Sequence, residues 1–164
     1  MMKPLLPLIL LFSAIGLFTL GSCSGVRNDY SEYHRLPGCG WRYGDTLHFS
    51  PVHTDSLCKG FFVVAIRYDG DYPYRDLWLE VEVPATVTVA DTIVGMSIRR
   101  DTVRMVLADR YGNYTGSGIG PTYQMADTLG VVSHRSGSPV KVRHIMRTDT
   151  LAGVNQVGLF FVPE

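Results

Sequence analysis

Cys23 is the residue whose surroundings indicate the clearest chemistry in this sequence. It closes the stretch Leu20-Gly21-Ser22-Cys23, which ends an apolar run that begins at Leu5 and has one positive charge, Lys3, in front of it. A charged start, an apolar run and a small-residue cleavage site are the parts of a secretory signal. A cysteine at the end of that site, with leucine three positions before it, is typical of a bacterial lipoprotein signal. The sequence therefore predicts that the Cys23 thiol receives a diacylglycerol thioether and that cleavage removes residues 1–22.

The predicted modification would hold the protein on a membrane by its acyl chains. Each methylene buried in the bilayer contributes about 0.8 kcal/mol, so one chain binds reversibly whereas two or more hold firmly. The alternative is an ordinary secretory signal with a chance cysteine at its end. A spanning helix is disfavoured, because the apolar run is shorter than the roughly 20 residues needed and Pro4 and Pro7 interrupt its start.

Two further cysteines, Cys39 and Cys58, follow the signal. Disulfides persist in compartments outside the cytoplasm. A bridge between these two thiols would close a loop of about 20 residues and contribute roughly 3 kcal/mol in the chain-entropy model. The spacing predicts a disulfide. Two free thiols are the alternative, since a sequence does not show whether two Cβ atoms meet.

The most distinctive loop is Asp69-Gly70-Asp71-Tyr72-Pro73-Tyr74, between the two strongest predicted strands. Its Asp-Gly and Tyr-Pro pairs are turn formers. Tyr72, Tyr74 and Trp78 could stack on sugar rings, as aromatic side chains do in sandwich-shaped carbohydrate modules, and the two aspartates could supply oxygen ligands to calcium. The alternative is that Tyr74 and Trp78 only cover a sheet edge, because one short loop does not define a ligand site.

Other reactive patterns are weak in this sequence. The glycines of Gly116-x-Gly118-x-Gly120 are followed by Pro121 and not by a helical pattern, so they do not indicate a nucleotide site. There is no Gly-x-Ser-x-Gly elbow, and no histidine pair has the spacing of a zinc helix. His144 is expected at an inward strand position, as a core imidazole. We therefore predict a protein that is not an enzyme, with no catalytic residues, no metal and no cofactor.

Composition and charge narrow the class of protein further. Removing residues 1–22 leaves 142 of the 164 residues, which suits one domain. The 15 basic and 15 acidic residues balance, and no basic face indicates a nucleic-acid partner. The polar segment 23–32 is predicted as a lipidated tether and residues 33–164 as a single domain. In some bacterial lipoproteins an acidic run directly after the lipidated cysteine resembles a surface-export signal. No such run follows Cys23, which favours the periplasmic side of the envelope. The choice between inner and outer membrane stays open.

Period-two patterns predict strands along nearly all of the remaining sequence. The apolar run Phe61–Tyr68 is typical of a central strand buried on both faces. Apolar positions alternate from Leu77 to Val83, where Pro84 is expected to end the strand and Val87 to start another. Trp41, beside a glycine turn, is expected to close one end of the core. About eight short strands at these spacings predict an all-β fold, an antiparallel two-sheet β-sandwich of jelly-roll-like type.

Several short motifs occur in a fixed order along the mature chain. They are the lipobox at Cys23, Tyr33-His34-Arg35-Leu36-Pro37, Trp41, Asp45-Thr46-Leu47, Arg67, Asp71-Tyr72-Pro73-Tyr74, Leu77, Leu107-Ala108-Asp109, the Gly116–Gly120 loop, His144-Ile145-Met146-Arg147, Leu151 with Gly153, and Val157-Gly158-Leu159. This ordered series resembles the gliding motility lipoprotein (GldH) family of Bacteroidetes. The resemblance implies a lipid-anchored envelope protein needed for gliding movement, without known catalytic residues. Other envelope proteins of a motility and secretion assembly are the expected partners, and a glycan is the alternative ligand.

Overall fold

The computed structural model describes residues 29–89 and 92–164, and in this part of the chain the regular elements are β-strands. The described strands are β1 (Tyr30–Arg35), β2 (Trp41–Arg42), β3 (Leu47–Phe49), β4 (Leu57–Asp69), β5 (Asp76–Val89), β6 (Thr92–Val106), β7 (Ser117–Ile119), β8 (Thr122–Thr128), β9 (Val132–Arg135), β10 (Val140–His144), β11 (Thr150–Leu151) and β12 (Val154–Pro163). This is more than the eight strands expected, because β1 begins within the segment predicted as a tether, and because two-residue strands such as β2 and β11 carry too short a pattern to be recognised in a sequence.

Two antiparallel sheets form the body of the molecule. The first sheet has the order β1-β12-β4-β8-β7, with β9 paired to the start of β4. The second sheet has the order β3-β10-β5-β6, and β2 with β11 forms a separate two-stranded ribbon. The inward side chains of both sheets join in one hydrophobic cluster. The predicted all-β, antiparallel sandwich is therefore confirmed.

The core follows the period-two pattern of the sequence. Leu77, Leu79, Val81 and Val83 of β5 are buried, as expected for one face of a strand. In β4 the inward residues are also buried, but outward residues such as Phe61 are only half-buried. The expectation that β4 is buried on both faces is thus met on its inner face, while its outer face is partly open to solvent.

Trp41 closes the far end of the core, as its place beside a glycine turn predicts. It is fully buried, and its indole N–H donates to the carbonyl oxygen of Asp45 at 2.9 Å. His144 packs edge-on against this ring, with ring centroids 5.1 Å apart, and its Nε2 lies 3.2 Å from the Trp41 carbonyl oxygen. His144 is therefore a buried core imidazole, as expected, and burial lowers its pKa.

The strand β5 does not end at Pro84. It continues to Val89, and Pro84 pairs with Ile98 of β6 in one long hairpin. The expectation failed because proline is tolerated where a strand has lost one neighbour. That condition holds here, since β10 pairs with β5 only as far as Glu82.

The sandwich has two ends, an N-terminal end and a far end. The N-terminal end is where the Asp29 backbone N–H donates to the Phe161 carbonyl oxygen at 3.0 Å. The far end is where residues 70–75 connect β4 to β5. The first strand begins at Tyr30, so the last three residues of the segment 23–32 are paired with β12 and belong to the sheet.

Candidate functional site

Cys23, the predicted lipidation site, lies outside the described residues. The described chain begins at the N-terminal end of the sandwich, six residues after Cys23. An anchor at Cys23 would therefore hold this end of the molecule nearest to the membrane.

The predicted disulfide between Cys39 and Cys58 is not formed. Both thiols are free, with Cys39 exposed and Cys58 half-buried. Cys39 follows the end of β1, where Arg35 pairs with Gln156 and Gln156 pairs with Arg67. Cys58 lies nine residues before Arg67 on β4, which is about 30 Å at the usual rise of an extended strand. The two cysteines therefore lie near opposite ends of the sheet, far beyond the reach of a disulfide.

Tyr72, one of the three predicted ligand contacts, is buried and not available to a ligand. It is only 4% exposed, and its hydroxyl donates to the carbonyl oxygen of Asp76 at 2.8 Å. Burial raises the pKa of the Tyr72 phenol. The prediction that Tyr72 stacks on a ligand is therefore wrong, because the ring belongs to the hydrophobic core.

The other two predicted contacts, Tyr74 and Trp78, line a shared groove. The groove is completed by Ile145, Met146 and Arg147 and encloses about 350 Å³. Both aromatic side chains are at least 40% exposed, and the Trp78 backbone N–H donates to the Met146 sulfur at 3.4 Å. Two exposed rings beside the Arg147 cation form a surface of the kind on which sugars stack, and the Cζ of a second cation, Arg104, lies 5.7 Å from the centroid of the Trp78 ring. We call this surface the Trp78 groove.

A second site, which no local sequence pattern indicates, lies on the outer face of the first sheet around Arg67. A cavity of about 560 Å³ is lined by Arg35, Leu36, Gly38, Arg67, Thr122, Asn155 and Gln156. Arg67 also borders a neighbouring cavity of about 550 Å³ above β7 and β8. We call the two together the Arg67 cavity. Five strands supply its walls: β1, β4, β7, β8 and β12.

The guanidinium of Arg67 is held by neutral groups. Its Nε donates to the Gln124 side-chain oxygen at 3.0 Å and its Nη1 to the Gln156 side-chain oxygen at 2.8 Å. Its Cζ lies 4.2 Å from the centroid of the Tyr33 ring. The ion pairs among the described residues involve neither Arg67 nor Arg35. A positioned arginine without a carboxylate partner is suited to bind an oxyanion of a ligand or partner.

A buried histidine pair occupies the N-terminal end of the core. Nε2 of His53 lies 2.9 Å from Nδ1 of His134, and Nε2 of His134 lies 3.0 Å from the Ser138 carbonyl oxygen. Because a carbonyl oxygen only accepts, the Nε2–H of His134 donates to Ser138, and Nδ1 of His134 accepts a hydrogen bond from the Nε2–H of His53. Nδ1 of His53 is buried without a partner among the described residues. Burial lowers the pKa of His53, and burial together with the neighbouring His53 lowers the pKa of His134 to about 4.

Neither a metal-binding cluster nor a membrane-spanning helix is found in the described ranges. No group of three or more His, Cys, Asp or Glu side chains among residues 29–89 and 92–164 could hold a metal ion. In the same ranges no helix is long and apolar enough to span a membrane.

Comparisons with known proteins place the chain in a family. Among solved structures, a chain of a nora virus structure aligns at 14% identity with a TM-score of 0.29, over 82% of this chain and 54% of that chain, so the match spans about half of that chain. No curated protein sequence matches this one. The family model described as GldH lipoprotein matches residues 28–160, which is most of the chain and nearly all of the described residues. The chain therefore belongs to the GldH lipoprotein family.

Proposed function

We propose that this protein is a lipid-anchored, non-catalytic component of a motility- and secretion-associated assembly in the cell envelope. The observation that carries the proposal is the family match over residues 28–160, which makes the chain a lipoprotein of the gliding-motility type at the family level. The lipobox at Cys23 supports acylation as the means of attachment. In this proposal the sandwich works by binding other envelope proteins on the periplasmic side.

The Arg67 cavity is the surface that supports a binding role best. Its guanidinium is fixed by Gln124 and Gln156 and stacked on Tyr33, so little rotamer freedom remains to be lost when a partner binds. Its charge is not neutralised by any described carboxylate within salt-bridge distance. An acidic side chain or chain terminus of a partner protein would supply the missing negative charge.

Gene deletion and complementation in the native host test this proposal. Deletion is expected to impair spreading or surface-protein secretion, and the wild-type gene is expected to restore them. The Cys23→Ala protein should leave the membrane fraction and fail to complement. The Arg67→Gln protein should stay in the membrane fraction and complement at least about tenfold less well, because a desolvated charge pair contributes more than 1.4 kcal/mol.

Arg110→Gln is the matched control for the Arg67 substitution. Arg110 is exposed at the far end and contacts the ring and hydroxyl of its neighbour Tyr111. It should complement like the wild type. Unchanged spreading, secretion and envelope integrity in the deletion strain would contradict the proposed role altogether. Full complementation by Arg67→Gln would contradict only the part assigned to the Arg67 cavity.

Glycan binding by the Trp78 groove is a second candidate function. The observation that favours it is the pair of exposed rings, Tyr74 and Trp78, beside the Arg147 side chain. Screening residues 24–164 on a glycan array is expected to give binding that Trp78→Ala and Tyr74→Ala each weaken by about 1 kcal/mol or more. Tyr111→Ala, which removes an exposed ring outside the groove, is the control. Absent binding, or binding that all three variants retain, would reject this candidate.

A further inference from the structure

The β5–β6 hairpin carries a cluster of exposed apolar side chains beyond the body of the sandwich. Val87, Ile93, Val94, Met96 and Ile98 are between 41% and 63% exposed. These side chains lie along 12 residues of one hairpin, whereas exposed hydrophobic residues elsewhere on the described surface are more scattered. A concentration of this kind on a water-soluble body indicates a surface that is covered in the working protein.

The hairpin leaves the sandwich at the N-terminal end. Val83 of β5 is a core residue at the base of the hairpin. It pairs with Arg99, whose Nη1 donates to the carbonyl oxygens of Gly130 and Val131 at 3.2 and 3.0 Å. The next residue back, Leu129, donates its backbone N–H to the Phe62 carbonyl oxygen at 2.8 Å.

Phe62 in turn pairs with Phe161, whose carbonyl oxygen accepts from the Asp29 backbone. A lateral row of hydrogen bonds and strand pairings therefore joins the base of the hairpin to the point where the described chain begins. The hairpin and the tether start from the same end of the molecule.

The reach of the hairpin matches the reach of the tether. Cys23 precedes Asp29 by six residues, which span at most about 20 Å when fully extended. The hairpin continues six residues beyond Val83 to Val89, again about 20 Å at the rise of a strand. A body held by acyl chains on Cys23 is therefore held at a distance from the bilayer that the hairpin can cross.

We infer that the apolar part of the β5–β6 hairpin, at Val87, Ile93, Val94, Met96 and Ile98, rests in the interfacial layer of the membrane that holds the Cys23 acyl chains. The inference depends on the proposed lipid anchor. It adds a second, protein-made contact that orients the sandwich and turns its far end, with the Trp78 groove, away from the bilayer. Thr92, the first residue of β6, is polar and exposed, which limits the contact to interfacial depth.

A lipid surface fits this hairpin better than a second copy of the chain. β6 is the edge strand of its sheet, so strand addition by another copy is the rival explanation. However, the two residues that precede Val103 at inward positions of β6 are Arg99 and Asp101, which form an ion pair at 2.9 Å. Inward charges on an edge strand are a common protection against pairing with another strand.

The test measures how deeply tryptophans introduced into the acylated protein enter the lipid bilayer. Val94→Trp, Met96→Trp and, at the far end, Tyr111→Trp are each made in a Trp78→Phe background, where buried Trp41 contributes a constant signal. The proteins are purified from host membranes and placed in phosphatidylcholine–phosphatidylglycerol vesicles containing brominated lipids. Quenching at positions 94 and 96 is expected to exceed that at position 111 by at least about threefold, because only the hairpin enters the quencher layer.

Each other outcome overturns the inference. Equal quenching at positions 94 and 111 would mean that the hairpin has no special access to lipid. A blue shift at position 94 that grows with protein concentration and needs no lipid would mean that a second copy covers the hairpin. Protein that does not stay on the vesicles would instead show failure of the Cys23 anchor, and therefore of the proposed function. Failure of the hairpin inference can be told apart from failure of the anchor. Equal quenching and the concentration-dependent blue shift are seen with vesicle-bound or self-associated protein, whereas failure of the anchor is seen as protein lost from the vesicles.

Discussion

Acidification from pH 7 to pH 4 is expected to remove about 3 kcal/mol from the free energy of unfolding through His134 alone. The pKa of His134 falls from 6.5 to about 4 in the folded chain. The unfolded chain therefore binds a proton first as the pH falls. The contribution of His134 to stability is present above pH 6.5, is lost as the pH falls from there through 4, and changes no further once the pH is well below 4.

The geometry of the pair explains why protonation is costly. His134 accepts one hydrogen bond from His53 and donates another to Ser138, so a second proton on His134 would face the N–H of His53. Phe62 and Phe161 surround the two rings, with centroids 5.1 Å from His134 and 4.2 Å from His53 respectively, and offer no compensating charge. Asp29 is the carboxylate that acts on His53, and its effect is smaller than that of burial.

Urea unfolding of residues 24–164 between pH 4 and pH 7.5 measures this effect. The glutamine of His134→Gln cannot titrate. The free energy of unfolding of this variant should therefore fall on acidification by about 3 kcal/mol less than that of the wild type. At pH 7 the same variant should lose about 1–2 kcal/mol, because the contact with His53 is altered. His48→Gln, at an exposed position of β3, is the control for replacing a histidine by glutamine. A pH dependence that His134→Gln leaves unchanged would contradict the assignment.

The sheets were predictable because burial repeats along a strand. The alternation from Leu77 to Val83 and the burial of His144 are properties of single strands, and a period of two places their side chains without knowledge of the partners. The lipobox at Cys23 is likewise a local signal. Pro84 shows the limit of this reasoning, since its effect depends on whether β10 extends alongside it, and the sequence of β5 contains no information about that.

The candidate sites were predicted less well, because they depend on which segments meet. Cys39 and Cys58 have a spacing that fits a bridge, but β1 and β4 place them near opposite ends of the sheet. Arg67 was visible as a charge in an apolar run. Its role depends on Gln124 and Gln156, which are 57 and 89 residues away in sequence. No local pattern could have identified the cavity that these residues form.

Tyr72 is the clearest case of a local signal overruled by a distant one. Its turn sequence predicts exposure, yet its backbone lies against Gly153, and the ring occupies the core. The carbonyl oxygen of Gly153 also accepts from the Asp69 backbone at 3.0 Å. Two motifs of the ordered series, one in the loop after β4 and one in the turn before β12, are therefore parts of a single contact.

Gly153→Ala is expected to lower the free energy of unfolding by about 3 kcal/mol or more. Gly153 has φ of +75°, and a Cβ at this position would lie 2.6 Å from the Asp71 carbonyl carbon and still closer to the backbone of Tyr72. The neighbouring atoms are main-chain atoms of a loop that carries Tyr74, so the loop must shift. The shift should reach the Trp78 groove and change the fluorescence of Trp78.

Gly137→Ala separates the two causes of this loss, which are the left-handed backbone at Gly153 and the clash of a Cβ with the loop. Gly137 has φ of +77°, and a Cβ there would meet nothing within 4 Å, so only the left-handed backbone opposes the substitution. It should lower the free energy of unfolding by about 1–2 kcal/mol and leave Trp78 fluorescence unchanged. Urea unfolding of both variants gives the difference, which measures the contact between Gly153 and the loop. If Gly153→Ala were no more destabilising than Gly137→Ala, that contact would not be holding the loop, and the burial of Tyr72 would need another cause.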